Sequence, residues 1–323
     1  MKQPLKTLWR ISRHCPKNLK GPALSVGLSL TFFSFAQAAC TVPETQSARI
    51  AQIQIHAAQT HSATQMDCAA TIALASAQKA PENLELQLIT LGVVAQTIEL
   101  LGSLKRVDLM GMDNTMISRI HQLANEAITL AETNINKSPD NADIRLLHAV
   151  ILVLTAPWFD VEKSIDSTRR AMGMLEHVIK TAPDTQGGMA QSVLGRIYFE
   201  LPPLLGGDVT RSIGLLKEAR RRGPENIQTL RFLAESYDQE LEEEKAVNAL
   251  KEMISIKAQS GQYQLMADEL GLGQGLALRL KARDVAAKLG AKRAELFKAH
   301  PKLLTRASTA IGGHGGANPL EGK

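Results

Sequence analysis

The chain has 323 residues, 44% hydrophobic, 21% charged and 4% aromatic, with 37 Lys and Arg against 32 Asp and Glu. Such fractions belong to folded proteins and exclude wholesale disorder. The formal charge of +5 raises the question of nucleic acid, and its distribution answers it. Residues 1–38 hold six basic side chains (Lys2, Lys6, Arg10, Arg13, Lys17, Lys20) and no acidic one, and without them 31 basic face 32 acidic residues, a charge of −1. That leaves no electrostatic footprint for nucleic acid. Trp9, Phe32, Phe33 and Phe35 lie in the same stretch, and the eight aromatics that remain are too few for a platform that stacks bases or sugars.

The first element, residues 1–38, has the layout of a secretory signal. A basic region ends near Lys20, the apolar segment Ala23–Ala36 follows, and Ala36-Gln37-Ala38 supplies small residues for cleavage after Ala38. The apolar run of 14 residues is short for a membrane span, which favours removal over an uncleaved anchor. After it no uninterrupted apolar stretch reaches the roughly 18–20 residues of a span. The mature chain is therefore expected in the periplasm or secreted. Cys15 leaves with the leader, so Cys40 and Cys68 remain, an even pair that suggests a disulfide in an exported protein. On the chain-entropy model it would stabilise by roughly 3–4 kcal/mol. Cys40 follows small residues as lipid-attached cysteines do, but Gln37 stands where a lipoprotein signal carries Leu or a similar residue. A lipid anchor and two unpaired thiols are the alternatives.

Past the leader, strand signals are nearly absent and apolar residues recur at three- and four-residue intervals. The pattern predicts an all-α chain with helices near 45–58, 65–78, 82–104, 114–137, 141–155, 162–181, 187–200, 209–221, 225–238, 242–257, 261–288 and 292–304. These group into an N-terminal helical segment (39–112), repeats (113–260), C-terminal helices (261–305) and a disordered Gly-rich tail (306–323). The apolar run Leu146–Leu154 reads as a buried central helix. Glu242-Glu243-Glu244 opens a helix and Arg220-Arg221-Arg222 closes one, each with the sign that the helix dipole favours at that end.

Pro139, Pro183 and Pro224 each separate two helices, and small or apolar residues recur twelve, eight and five positions before them. Before Pro224 these are Ser212, Leu216 and Ala219; before Pro183 they are Ala171, Leu175 and Val178; before Pro139 they are Ala127, Ala131 and the exception Asn134. Leu194-Gly195 with Tyr198 and Leu233-Ala234 with Tyr237 repeat in the first helices, and Ala246 with Leu250 in the last second helix. This pattern resembles the tetratricopeptide repeat, a pair of antiparallel helices stacked into a right-handed solenoid. The small residues belong where two backbones approach, and the larger ones fill the grooves between helices.

Between Tyr198 and Ser212 the chain reads FELPPLLGGDVTR, longer than a plain repeat turn. Pro202-Pro203 ends one helix, Gly206-Gly207 frees the backbone, and Asp208 can cap the next helix. Leu204 and Leu205 remain to be buried or to meet a partner. The run Gly187–Ala219 is similar to the T-component of tripartite periplasmic transporters, in which a Gly-containing helix, a Pro-hydrophobic-Gly-Gly-Asp loop and a repeat helix follow in the same order. That resemblance covers about a tenth of the chain. It implies an exported helical-repeat protein with a pore-like cavity that associates with a periplasmic solute-binding protein.

No catalytic or metal-binding constellation is legible. His56, His61, His121, His148, His177, His300 and His314 have no metal-like spacing with one another or with Cys and carboxylates. Gly271-x-Gly273-x-Gly275 lacks the spacing and the preceding strand of a dinucleotide loop. The expectation is a binding or scaffold protein, not an enzyme, with no cofactor and with a protein or peptide partner. The alternative is a structural assembly factor of the envelope that binds no solute. Candidate partner-binding residues are Arg196, Phe199, Leu204, Leu205, Arg231, Glu235 and Asp238, on first-helix faces and in the inserted loop.

Overall fold

The computed structural model describes residues 63–107, 114–259 and 262–301. The leader, Cys40, the helix expected near 45–58, His56, His61, His314 and the Gly-rich tail lie outside them. Eleven α-helices and no strand occupy the described residues. They are α1 (Ala63–Lys79), α2 (Leu84–Val107), α3 (Asn114–Lys137), α4 (Ala142–Thr155), α5 (Val161–Thr181), α6 (Met189–Glu200), α7 (Val209–Arg222), α8 (Ile227–Gln239), α9 (Glu243–Ser255), α10 (Tyr263–Arg279) and α11 (Arg283–Ala299). Each packs chiefly on its chain neighbours, and α4/α5, α6/α7, α8/α9 and α10/α11 form successive antiparallel pairs.

Caps explain four of the helix starts. Asn141, Asp160, Asp208 and Asn226 each sit at an N-cap and accept from a first-turn N–H, that of Ile144, Lys163, Arg211 and Thr229 respectively. One expectation fails. In place of helices at 261–288 and 292–304, the chain turns at 280–282 and forms the pair α10/α11. No Gly or Pro marks that turn. Lys281 supplies the left-handed residue, with φ +57°, and the N–H of Ala282 donates back to the Ala277 carbonyl at 2.8 Å. The turn between α8 and α9 is built alike, with Leu241 at φ +60° and Glu242 N–H bonded to the Tyr237 carbonyl. The repeat thus continues through α11; the α8–α9 turn is legible because Glu242-Glu243-Glu244 marks the next helix start, and no such acidic run follows residue 281.

The pattern of small residues does what packing requires. Ala127, Ala171, Ser212, Ala234 and Ala246 are fully buried, as are Leu175, Leu216 and Leu250. At Gly195 a Cβ would come within 2.9 Å of Leu216 and 3.2 Å of the Ser212 carbonyl, so only glycine lets α6 and α7 approach this closely. Hydroxyls fasten the pairs to each other: Ser192 meets Thr229 at 2.9 Å and Ser212 meets Ser236 at 3.1 Å, both in buried positions. The cores form a series along the chain, from α1–α4 through α4–α6 and α7–α9 to α8–α11. The central helix α4 serves two of them, with Ile144 and Ile151 on one side and Leu146, Ala149 and Leu152 on the other.

Helix α2 has no uninterrupted apolar run, since Glu85, Gln87, Gln96 and Glu99 break it, yet by length and mean hydropathy it could cross a membrane. Leu84–Gly102 has a mean hydropathy of 1.5 over 19 residues, and 56% of it is buried within the protein. Its polar side chains stitch it to α1. Thr90 donates to the Ala73 carbonyl, Thr97 to that of Met66, and Gln87 to those of Ala77 and Ala80, all at 3.0–3.2 Å. The apolarity of α2 therefore serves burial between α1, α3 and α4.

His148 lies in α4 at 0% exposure, and neither ring nitrogen has a hydrogen-bond partner. Burial, reinforced by Arg170, lowers its pKa from 6.5 to about 4. The neutral ring is the folded form, so the stability it permits is complete above pH 6.5 and is lost as pH falls toward 4, by at most about 3 kcal/mol. Urea unfolding between pH 7 and pH 4 is expected to show this loss, and the His148→Leu variant is expected to show a slope shallower by one proton. Equal slopes for the two proteins would contradict the assignment.

Candidate functional site

The candidate site builds up from one spacing. Arg196 and Glu200 on α6, and Arg231 and Glu235 on α8, stand four residues apart, so each pair shares a helix face. The helix pairing then aligns these faces. Arg196 bridges Glu200 on its own helix and Glu235 on the next. Arg231 bonds Glu235 at 2.7 Å and also reaches Glu269 on α10. The result is one unbroken ladder, Glu200–Arg196–Glu235–Arg231–Glu269, across three successive first helices.

Aromatic rings hold the guanidiniums from the side. Arg196 lies 4.8 Å from the Phe199 ring and 4.6 Å from that of Phe232, and Arg231 lies 4.5 Å from the same Phe232 ring. Asp238 extends the line by accepting from Arg279 at 2.6 Å. The five ladder side chains are largely withdrawn from solvent, Arg231 and Glu269 most of all.

Burial and pairing compete at each charge. Burial raises the Glu200 pKa, and Arg196 offsets only part of it. At Glu235 burial pushes the same way, but Arg231 and Arg196 together outweigh it and hold the carboxyl below its ordinary value. Burial alone would lower the Arg231 pKa, yet Glu269 and Glu235 raise it. Three carboxylates share two guanidiniums, so the ladder carries one excess negative charge when all are ionised.

Of the residues expected to bind a partner, Arg196, Phe199, Arg231, Glu235 and Asp238 thus fall on one strip. Leu204 and Leu205 do not join it. They form a 3-10 turn, Pro203–Leu205, between α6 and α7, with Leu204 98% exposed and Leu205 37% exposed. The turn is closed by Gly207 N–H donating to the Pro202 carbonyl and Asp208 N–H to that of Tyr198. Gly206 takes φ +93°, and a Cβ on Gly207 would overlap the Leu201 carbonyl oxygen. Pro202, Pro203, Gly206 and Gly207 thus shape this turn, and Asp208 caps α7.

Glu200, Phe232, Glu269 and Arg279 are the members that sequence reasoning missed. Glu200 had a signal, since Arg196/Glu200 repeats the spacing of Arg231/Glu235. Glu269 had a weaker one: Arg231 and Glu269 are 38 residues apart, close to the 39 of Arg196 and Glu235. The charge run Arg220–Arg222 does more than end α7. Arg220 reaches Glu252 on α9 at 2.5 Å, and Arg222 pairs with Asp184. The histidines stand elsewhere, His121 stacked on Phe159 and His300 on Tyr263. Cys68 lies half-buried on α1, while its expected partner Cys40 is outside the described residues.

Two open grooves lie apart from the ladder. One, of about 430 Å³, is lined by residues of α5, α6 and α7, among them Ile179, Gln191 and Leu215. The other, of about 830 Å³, is lined by α9, the α10–α11 turn and α11.

No known family profile matches the chain, and no curated protein sequence matches it. Among solved structures it is similar to MamA, at 19% identity and a TM-score of 0.38 over 60% of this chain and 99% of that one. A MamA RS-1 ArsTM double mutant aligns at 15% identity and a TM-score of 0.39, covering 59% and 97% of the two chains. The repeated helix pairs described above are those of a tetratricopeptide-type, all-α helical-repeat fold.

Two outcomes follow from this geometry. Arg231→Ala leaves Glu269 buried without its charge partner and is expected to cost about 3–5 kcal/mol in urea unfolding, whereas Arg231→Met with Glu269→Leu recovers most of it. Equal losses in the two proteins would show that the ion pair is not what holds α8 to α10. In the loop, Gly207→Ala is expected to cost about 3 kcal/mol and Gly206→Ala about 1 kcal/mol, measured the same way. The reverse order would contradict the turn geometry.

Proposed function

We propose that the mature chain is an exported scaffold, periplasmic or secreted, that holds a partner protein or peptide against the first-helix strip of α6, α8 and α10. The observation that carries this reading is the ordering of the strip: Arg196 and Arg231 are fixed between ring faces and carboxylates in the free protein. A surface ordered beforehand loses little side-chain entropy when a partner docks. Its excess carboxylate favours a partner that brings N–H donors or a cation. The leader and a Cys40–Cys68 disulfide fit an oxidising compartment. The resemblance of Gly187–Ala219 to transporter T-components makes a periplasmic solute-binding protein one partner of this kind.

A second reading is an assembly factor of the envelope that binds no solute. It is favoured by the saturation of the ladder, whose two guanidiniums are already paired and leave no lone cation for a small anionic solute. Both readings place a protein partner on the strip and assign the chain no catalysis.

The test is site-specific photocrosslinking in cells that make the protein, with benzoylphenylalanine at Phe199 or Phe232, and at the exposed Gly173 on α5 as control. Discrete adducts from the two strip positions and not from position 173 are expected. The same adducts from position 173, or none from the strip, would overturn the reading. N-terminal sequencing of the mature protein is expected to begin at Ala39; a chain that keeps Met1 and stays in the cytoplasm would sink its export half.

A further inference from the structure

The groove of about 830 Å³ between α9 and α11 is lined by more cations than carboxylates. Its lining includes Lys251 from α9, Lys281 from the α10–α11 turn, and Arg283 and Lys288 from α11, with Asp284 the one carboxylate among the lining residues. Several cations elsewhere meet carboxylates, among them Arg119 with Asp67, Lys137 with Glu82, Arg170 with Glu132, Arg211 with Glu176 and Arg279 with Asp238. Lys251 reaches only the neutral side chain of Asn248, at 3.1 Å. The side chains of Lys281, Arg283 and Lys288 make no hydrogen bond or ion pair among the described residues.

Three positive charges thus stand unbalanced over one concave surface. Lys281 also holds the left-handed position of its turn, at φ +57°, where glycine or asparagine would relax the backbone by about 1 kcal/mol. Helix α11 starts in the groove at Arg283 with no side-chain cap on its first N–H groups, which adds to the positive potential. Between the charges lie Ile254, Ala282 and Val285, an apolar floor.

We propose that this groove is a second docking surface, distinct from the first-helix strip, for an acidic peptide segment of a partner protein. Charge complementarity selects the occupant. Several carboxylates spaced along an extended chain can meet lysines that come from two helices and a turn, while side-chain methylenes cover Ile254 and Val285. A single phosphate would engage a fraction of so wide a site. A nucleotide would find no aromatic ring in the lining on which to stack its base.

The probe is fluorescein-labelled hexaglutamate, followed by fluorescence anisotropy with the full mature chain at low salt. Binding is expected to weaken about 10-fold in K281S/R283S/K288S and to fade as salt is raised, since exposed charges each contribute modestly and are screened. These residues are exposed, so the variant is expected to keep its melting temperature. Arg221→Ser, which removes an arginine already paired with Glu218, serves as control and is expected to bind like the parent. Equal binding by the triple variant and the parent would overturn the proposal, as would displacement of the peptide by equimolar inorganic phosphate. The photocrosslinks from Phe199 and Phe232 are expected to survive in the triple variant, so failure of either surface is visible apart from the other.

Discussion

A pair of helices in this chain covers one apolar face with its mate and leaves another that only the next pair can cover. The whole architecture depends on that incomplete burial. It sets the need for close approach inside each pair, met by Gly195 against Leu216 and by Ala234 and Ala246. It also gives α4 its two apolar sides, one for each neighbouring core. Because each core is shared with the next, the order of the pairs along the chain is also their order in space.

The same stacking creates the ion ladder. Arg196 and Glu235 are 39 residues apart and Arg231 and Glu269 are 38 apart, yet each couple faces across adjacent first helices. Burying such charges is costly, and the cost is offset only when every guanidinium finds carboxylates and ring faces. The ladder therefore works as a registry device: sliding α8 against α6 or α10 would strand a buried charge. A surface with its side chains fixed in this way is suited to receiving a partner. The groove between α9 and α11 has the opposite character, with exposed, unbalanced cations suited to attracting the acidic segment proposed for it.

Legibility varied with the kind of signal. The helix limits at 114–137 and 209–221 and the small-residue pattern before Pro183 and Pro224 could be read because caps, prolines and periodicity are local. The α10–α11 turn could not, because no proline, glycine or acidic run like Glu242–Glu244 marks it, and its form is set by the packing of α11 on α9 and α10. Likewise α2 reads as apolar enough for a membrane, and what ties it to the core is a set of hydrogen bonds from Gln87, Thr90 and Thr97 to α1. At the site, Arg196, Arg231 and Glu235 stood out through their helical spacing. Glu269 and Phe232 did not, since their importance lies in which helix they face.

By itself the sequence determined the all-α class, the repeat, and the separation of a basic stretch at residues 1–38 from a nearly neutral remainder, because composition and periodicity record which faces must be buried. Residues 1–38 carry a formal +6 and the remainder −1, which together make the +5 of the whole chain. Tertiary structure alone decided which charges are spent on one another and which remain available. Pairing depends on distances across helices that are about 40 residues apart in sequence, and no local pattern encodes them.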